Sequence, residues 1–181
     1  RLTVARAVAW IEPAGNPGVS LLIALLGRGP AMVRPAAADA LSELGNAPPE
    51  SLAALLRHVE DPDPRIRKLA LEGLERGARK GAEIPARVFV LLRDTDRDVR
   101  ERAWTLLQVA PEAARTLIPQ CREALKSMDA EQCRVAISAL RWVKGGAAES
   151  LPALLPFLSS KDSDVRMATA NCLGSAGAAA K

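Results

Sequence analysis

The chain has no tyrosine, one histidine, three cysteines and only five aromatic residues, Trp10, Trp104, Trp142, Phe89 and Phe157. The scarcity of histidine excludes clustered His and carboxylate sets of the kind that hold catalytic metals. His58 stands in an apolar stretch and reads as a helix-surface or partly buried residue. Cys121, Cys133 and Cys172 lack metal-type spacing. Cys121 and Cys172 fall where other copies of a repeat carry apolar or small residues, so they read as buried thiols; an odd cysteine count points to a reducing compartment such as the cytoplasm. There is no glycine-rich phosphate loop, no His-Glu-x-x-His pair and no nucleophile elbow. No apolar run reaches 18 residues, which leaves no candidate membrane-spanning helix. Catalytic residues, cofactors and metals are therefore not expected, and binding is favoured over catalysis.

What the chain does have is a repeat. Arginine recurs at 33-residue intervals, at Arg1, Arg34, Arg67, Arg100 and Arg166, with Cys133 on the remaining tooth of the comb. Seven residues after each tooth stand Val8, Leu41, Leu74, Leu107, Leu140 and Leu173; eight before stand Leu26, Val59, Leu92, Leu125 and Leu158. No gap is needed to align them. A fixed period of this length marks a stack of one supersecondary unit, with its core buried between neighbouring copies. The expected fold is all-α: a right-handed α-solenoid of about five helix pairs in a single domain. The expected boundaries are a half repeat over 1–15, then repeats over about 16–46, 47–79, 80–112, 113–145 and 146–181.

Each unit reads as two helices. The first is short and apolar, at 19–26, 52–59, 85–92, 118–125 and 151–158. The second starts at an aspartate four residues before the tooth: Asp63, Asp96, Asp129 or Asp162, with Pro30 in the first copy. An aspartate there accepts hydrogen bonds from the free N–H groups of the first turn. Pro64 follows at a position where its missing N–H costs nothing. Asp98, Glu131 and Asp164 add negative charge where the helix dipole favours it. Apolar residues at spacings of three and four, such as Ile66, Ala70, Leu71 and Leu74, form the buried stripe. Helix ends are expected near Gly45, Gly77, Gly145 and Gly177.

The pattern Asp-x-Asp-x-(Val/Ile)-Arg-x-x-Ala-x-x-x-Leu stands at Asp61-Pro62-Asp63-Pro64-Arg65-Ile66-Arg67 and again at Asp94-Thr95-Asp96-Arg97-Asp98-Val99-Arg100. A third copy is Lys161-Asp162-Ser163-Asp164-Val165-Arg166. This resembles HEAT repeats, specifically the short HEAT-like units common in bacterial proteins and shared with the phycobilin-lyase group. Ankyrin units share the period, but their Thr-Pro-Leu-His signature is missing, and tetratricopeptide units need a tyrosine pattern. The resemblance implies a curved stack whose second helices line the concave face, and an arginine–aspartate ladder along it. Six residues before the tooth, Asp61 and Asp94 match Arg67 and Arg100; Ser127 goes with Cys133, Arg28 stands where an acid is expected for Arg34, and Ser160 stands opposite Arg166. These ladder residues read as structural.

The formal charge is +4 with a pI near 9.3, mildly basic and too weak alone to imply nucleic acid. Positions one, two, five and nine past the tooth are expected to face outward from the second helices. They hold Arg6, Trp10, Lys68, Arg76, Arg102, Arg134 and Trp142, but also Asp39, Glu43, Glu72 and Glu101. A surface tracking phosphates would carry one sign. The expected function is a protein- or peptide-binding scaffold with Trp142, Arg102, Arg141, Arg76 and Trp10 as candidate anchors. The alternatives are a nucleic-acid-binding solenoid of the HEAT-like DNA glycosylase type or, less favoured, a lyase-type accessory protein. Neither end carries a polar capping unit, so apolar end faces and self-association through them are expected.

Overall fold

The computed structural model describes residues 17–44, 49–127 and 129–179; Arg1, Arg6, Trp10 and Gly45 lie outside them. All regular structure among the described residues is helical. The helices are α1 (Pro17–Arg28), α2 (Arg34–Leu44), α3 (Pro49–Leu56), α4 (Pro64–Ala78), α5 (Arg97–Val109), α6 (Ile118–Ala124), α7 (Ala130–Trp142), α8 (Gly146–Glu149), α9 (Leu151–Leu154) and α10 (Ser163–Ala179). Three 3₁₀ segments, Ala86–Arg93, Ala113–Leu117 and Leu155–Ser159, complete the set. The chain divides into two compact units: one runs to Ala82 and takes in Asp94–Leu106, the other holds Glu83–Arg93 and everything from Leu107 onward.

The second helices begin where the aspartates direct. The Asp63 carboxylate accepts from the Arg65 N–H at 2.9 Å, and Asp129 accepts from Glu131 at 3.0 Å. Asp96 accepts from Val99 at 3.1 Å, and Asp162 accepts from Asp164 and Val165. The caps satisfy N–H groups that would otherwise have no partner in the helix. Two helix ends fall near the expected glycines, α4 ending at Ala78, one residue past Gly77, and α10 at Ala179, two past Gly177. Gly145, at φ 77°, does mark the stop after α7, because that left-handed backbone suits a residue without Cβ.

The first helices are less regular than their periodicity predicts. Those of the first two pairs are α-helical, but the third is 3₁₀ over Ala86–Arg93 and the fifth passes from α9 into 3₁₀ at Leu155. Pro156 lacks the N–H that would continue the α ladder back to Pro152. Val88 and Val90, both β-branched, add crowding in the third segment.

In the first unit, α2 and α4 pack side by side with α1 and α3 behind them. Contact is close because residues are small at the crossing. A Cβ on Gly73 would lie 2.4 Å from Leu55 Cδ1, and one on Gly77 would lie 2.9 Å from Leu52 Cδ2. The core there is Leu22, Leu26, Leu41, Leu55, Ile66, Leu71 and Leu74, all buried. In the second unit α7 packs along α10, with α6 beside α7. The Ile84 N–H donates to the Ala113 carbonyl at 3.0 Å and the Lys144 N–H to Pro111 at 3.1 Å, so the turns of successive pairs are tied by backbone bonds. Cys121 and Cys172 are both buried in this unit, and burial pushes their thiols up to about 12 and about 11.

The arginine–aspartate pairing runs in a different register from the one expected. Arg67 does not pair with the Asp61 carboxylate. It grips Asp94, 27 residues on, through Nε–Oδ2 at 2.8 Å and Nη2–Oδ1 at 2.6 Å. Arg34 likewise pairs with Asp61. Within its own unit each arginine instead donates to backbone: Arg67 Nη1 to Asp61 O at 2.8 Å, Arg100 Nη1 to Asp94 O at 2.6 Å, Arg166 Nη1 to Ser160 O at 2.8 Å. Arg67, Arg100 and Arg166 therefore bind the carbonyl six residues back, while Arg34 binds that of Leu26, eight back at 2.9 Å; for Arg34 and Arg67 the carboxylate comes from the following unit. Cys133, on the odd tooth, reproduces the first half of this, its Sγ lying 3.3 Å from Ser127 O. The aspartates serve twice, because Asp61 and Asp94 also accept the N–H of Asp63 and Asp96.

Candidate binding surface

In the first unit the second helices α2, α4 and the start of α5 line up their polar faces. Arg102 Nη2 sits 3.0 Å from Glu72 and Nη1 sits 3.1 Å from Glu75. Lys68 reaches Asp98 at 3.2 Å, and Arg97 binds Glu101 one turn on at 2.7 Å. That hydrogen bond to Glu101 raises the Arg97 pKa further above its ordinary value. Arg76 donates to Ser42 O at 2.6 Å and to Ser42 Oγ at 3.1 Å, tying α4 to α2. Two of the anchor candidates, Arg76 and Arg102, are thus engaged in ties between neighbouring helix pairs. Between these ties lies an open groove of about 450 Å³, with Pro35, Pro64 and Leu69 as apolar patches and Lys68, Glu72 and Asp98 among its polar lining.

At the N-terminus of α4, the Arg65 guanidinium closes over Asp63 at 2.8 Å. Its hydrogen bond holds the Asp63 carboxyl below its ordinary value of 3.8, outweighing desolvation.

In the second unit the end of α7 presents a different arrangement. Trp142 is 39% exposed, and the Arg141 guanidinium carbon lies 5.2 Å from its ring centroid. A cation over an indole face at that range is an attractive contact, and it holds the ring in place at the surface. A bulky apolar ring presented this way offers contact area with little ordering cost. Trp10, in the same repeat column, lies outside the described residues, and Trp104 is half-buried. His58, in the turn that follows α3, places its Nδ1 2.9 Å from Ala54 O of that helix.

A feature with no clear sequence signal is a cleft of about 690 Å³ in the second unit, floored by Ile118, Leu125 and Phe157 and edged by Arg115, Arg122 and Lys126. Arg115 is paired with Glu149 at 2.6 Å and Lys126 with Glu123 at 2.6 Å. The lining comes from two successive first helices, so no single stretch of sequence reveals it. No group of three or more potential metal ligands gathers among the described residues.

Comparison with known proteins gives the following. The family model described as HEAT repeats matches residues 1–75, and the one described as HEAT repeat matches residues 151–177. A search of curated proteins finds no match. Among solved structures, a designed armadillo repeat protein in complex with the peptide (KR)4 is similar at 16% identity and a TM-score of 0.46, over 96% of this chain and 91% of that one. A computationally designed armadillo repeat protein for modular peptide recognition is similar at 16% identity and a TM-score of 0.46, over 96% and 92%.

Proposed function

This is a HEAT-like repeat protein, and we propose that it binds a protein or peptide partner through the faces of its second helices. The observation that carries this reading is Trp142 held at the surface by Arg141. Exposed tryptophan and arginine are the residue types that most often dominate binding energy. In the first unit, Lys68, Glu72, Asp98 and Arg102 offer both signs of charge beside apolar patches, which suits a mixed peptide chain. The same pairing weighs against a nucleic-acid surface, since Lys68, Arg97, Arg102 and Arg134 each have a carboxylate partner within the protein. Trp142 and Arg141 serve as anchor, Arg102 and Arg76 hold the helix pairs that present the groove, and no catalytic step is assigned.

The test is selection of a random peptide library on the immobilised protein, followed by titration of the enriched peptides. Trp142→Ala is expected to weaken binding by tenfold or more, corresponding to about 1.4 kcal/mol. Enriched peptides that bind Trp142→Ala and Arg141→Ala as tightly as the parent would sink this reading. Tight binding of a single-stranded oligonucleotide that falls steeply with salt would favour the nucleic-acid alternative.

A further inference from the structure

The 33-residue period lets each side chain of a first helix be set against its counterparts in the other copies. The fourth pair departs from the rest at one position. The column that holds Arg122 carries Ile23, Leu56, Phe89 and Leu155 elsewhere, so a guanidinium replaces an apolar side chain. The column that holds Arg115 carries Asn16, Pro49, Ala82 and Ala148 elsewhere. Arg115 has a structural reason to be there. Its Nη2 binds Glu149 at 2.6 Å and its Nη1 donates to Lys144 O at 3.3 Å, which ties the fourth pair to the fifth. Arg122 has no such tie: it is exposed and has no carboxylate or carbonyl partner among the described residues.

Arg122 stands at the edge of the cleft of about 690 Å³ between the first helices of these two pairs. Both walls belong to the second unit, and the cleft is set by how one pair meets the next within it. Its floor is apolar: Ile118 and Leu125 are 5% and 6% exposed, and Phe157 is half-buried. Four charges besides Arg122 line it, and they cancel in pairs, Arg115 with Glu149 and Lys126 with Glu123, each at 2.6 Å. One uncancelled positive charge therefore borders an apolar floor. A guanidinium presents a planar fork of donors that matches a carboxylate. The cleft is open along its side, with Pro119, Arg122 and Lys126 exposed, so it covers one face of an occupant rather than enclosing a small molecule. A phosphate backbone would call for several free cations in a row, and among the described lining residues only Arg122 is free.

We infer that this cleft docks a short polypeptide segment in which one aspartate or glutamate stands beside aliphatic or aromatic residues. Arg122 takes the carboxylate, and Ile118, Leu125 and Phe157 take the apolar side chains. The two internal pairs set the selectivity. Glu149 and Glu123 already hold Arg115 and Lys126, so a segment with several acids in a row gains one good partner and meets those two glutamates as like charges. A single acid in an apolar setting is therefore preferred. The site lies on the first helices, is distinct from the Trp142–Arg141 anchor and does not rest on it.

The test titrates the full chain with short, fluorescently labelled peptides, read by anisotropy. Each peptide carries one glutamate at a spacing of one to four residues from a phenylalanine, on a serine–glycine frame, and each has a glutamine counterpart. The tightest glutamate peptide is expected to bind about tenfold or more above its glutamine counterpart, the scale of a lost charge-assisted hydrogen bond. Arg122→Leu, which restores the residue type of Leu56 and Leu155, should keep the fold and erase that preference. Phe157→Ala should weaken glutamate and glutamine peptides alike, and Trp142→Ala should change neither, with circular dichroism checking the fold of each variant. Equal binding of the glutamate and glutamine peptides, no saturable binding by any of them, or a glutamate preference that survives Arg122→Leu overturns the proposal. A single-stranded oligonucleotide that binds more tightly than every peptide, and is lost with Arg122→Leu, also overturns it by naming nucleic acid as the occupant. Peptide binding lost with Trp142→Ala but kept with Arg122→Leu belongs to the Trp142 anchor; it overturns this site and leaves the proposed function standing.

Discussion

Replacing Asp94 by alanine tests the register of the ladder directly. Asp94 accepts two hydrogen bonds from Arg67, and the two side chains are only 7% and 12% exposed. Charge-assisted bonds contribute about 1.5–3 kcal/mol each before desolvation is counted, and stranding a largely buried charge costs about 3–5 kcal/mol. Asp94→Ala also removes the acceptor for the Asp96 N–H, at 2.9 Å. The residual exposure of Arg67 lets water recover part of the loss, so a cost of about 3 kcal/mol is expected. A double-mutant cycle with Arg67→Ala, read by urea unfolding in circular dichroism, isolates the pair; its coupling should be about 2 kcal/mol. The informative comparison is a cycle on Asp61. Arg34 and Asp61 should couple strongly, whereas Arg67 and Asp61 should couple weakly, because Arg67 takes only the Asp61 backbone carbonyl, which alanine retains. An Arg67–Asp94 coupling below about 0.5 kcal/mol, or an Arg67–Asp61 coupling exceeding it, would refute the inter-unit register.

Three other outcomes follow from the packing and the titratable groups. Gly73→Ala should destabilise by about 1–3 kcal/mol, since the new methyl meets Leu55 at 2.4 Å, whereas Gly174→Ala, with open space around it, should stabilise by about 0.5–1 kcal/mol; thermal melts of both variants check the contrast. The lowered Asp63 pKa means that the unfolded chain binds the proton more readily, so this contribution is present above about pH 4 and lost as pH falls through the folded value. Asp63→Asn keeps the cap but should flatten that acid limb in a series of urea melts from pH 6 to about pH 3. Burial of Cys121 and Cys172 raises their thiols to about 12 and about 11, so the folded state favours the protonated form; its contribution holds below about pH 9 and falls as pH rises through the folded values. Iodoacetamide at about pH 8 should therefore label both only as fast as the chain opens, and rapid labelling of the native protein would contradict their burial.

The sequence by itself determined the helix pair and its capping. A period, an N-cap at Asp63 or Asp129 and a buried stripe at Ile66, Ala70, Leu71 and Leu74 are all local relations. They are fixed by 3.6 residues per turn and by the free N–H groups of a first turn, and both are written within ten residues. The HEAT-like resemblance followed from the same pattern. Where local chemistry competed, the period was a poorer guide: Pro156 and the valines around Phe89 turned expected α-helix into 3₁₀.

Only the tertiary structure decided how one unit engages the next. The offset that brings Arg67 to Asp94 rather than to Asp61 is set by the stacking of helix pairs, and either aspartate satisfies the sequence pattern equally. The same holds for the surface. Arg76, Arg102 and Trp142 occupy positions that the repeat makes equivalent in kind. Packing then ties Arg76 to Ser42 and Arg102 to Glu72 and Glu75, and leaves the Trp142 ring open under Arg141. It also distinguishes Leu158 from Leu125, Leu92, Val59 and Leu26, five residues that one column makes alike. Identity of residue type records what a position can bury, whereas burial depends on whether a neighbour stands against it, and that is a property of the folded stack.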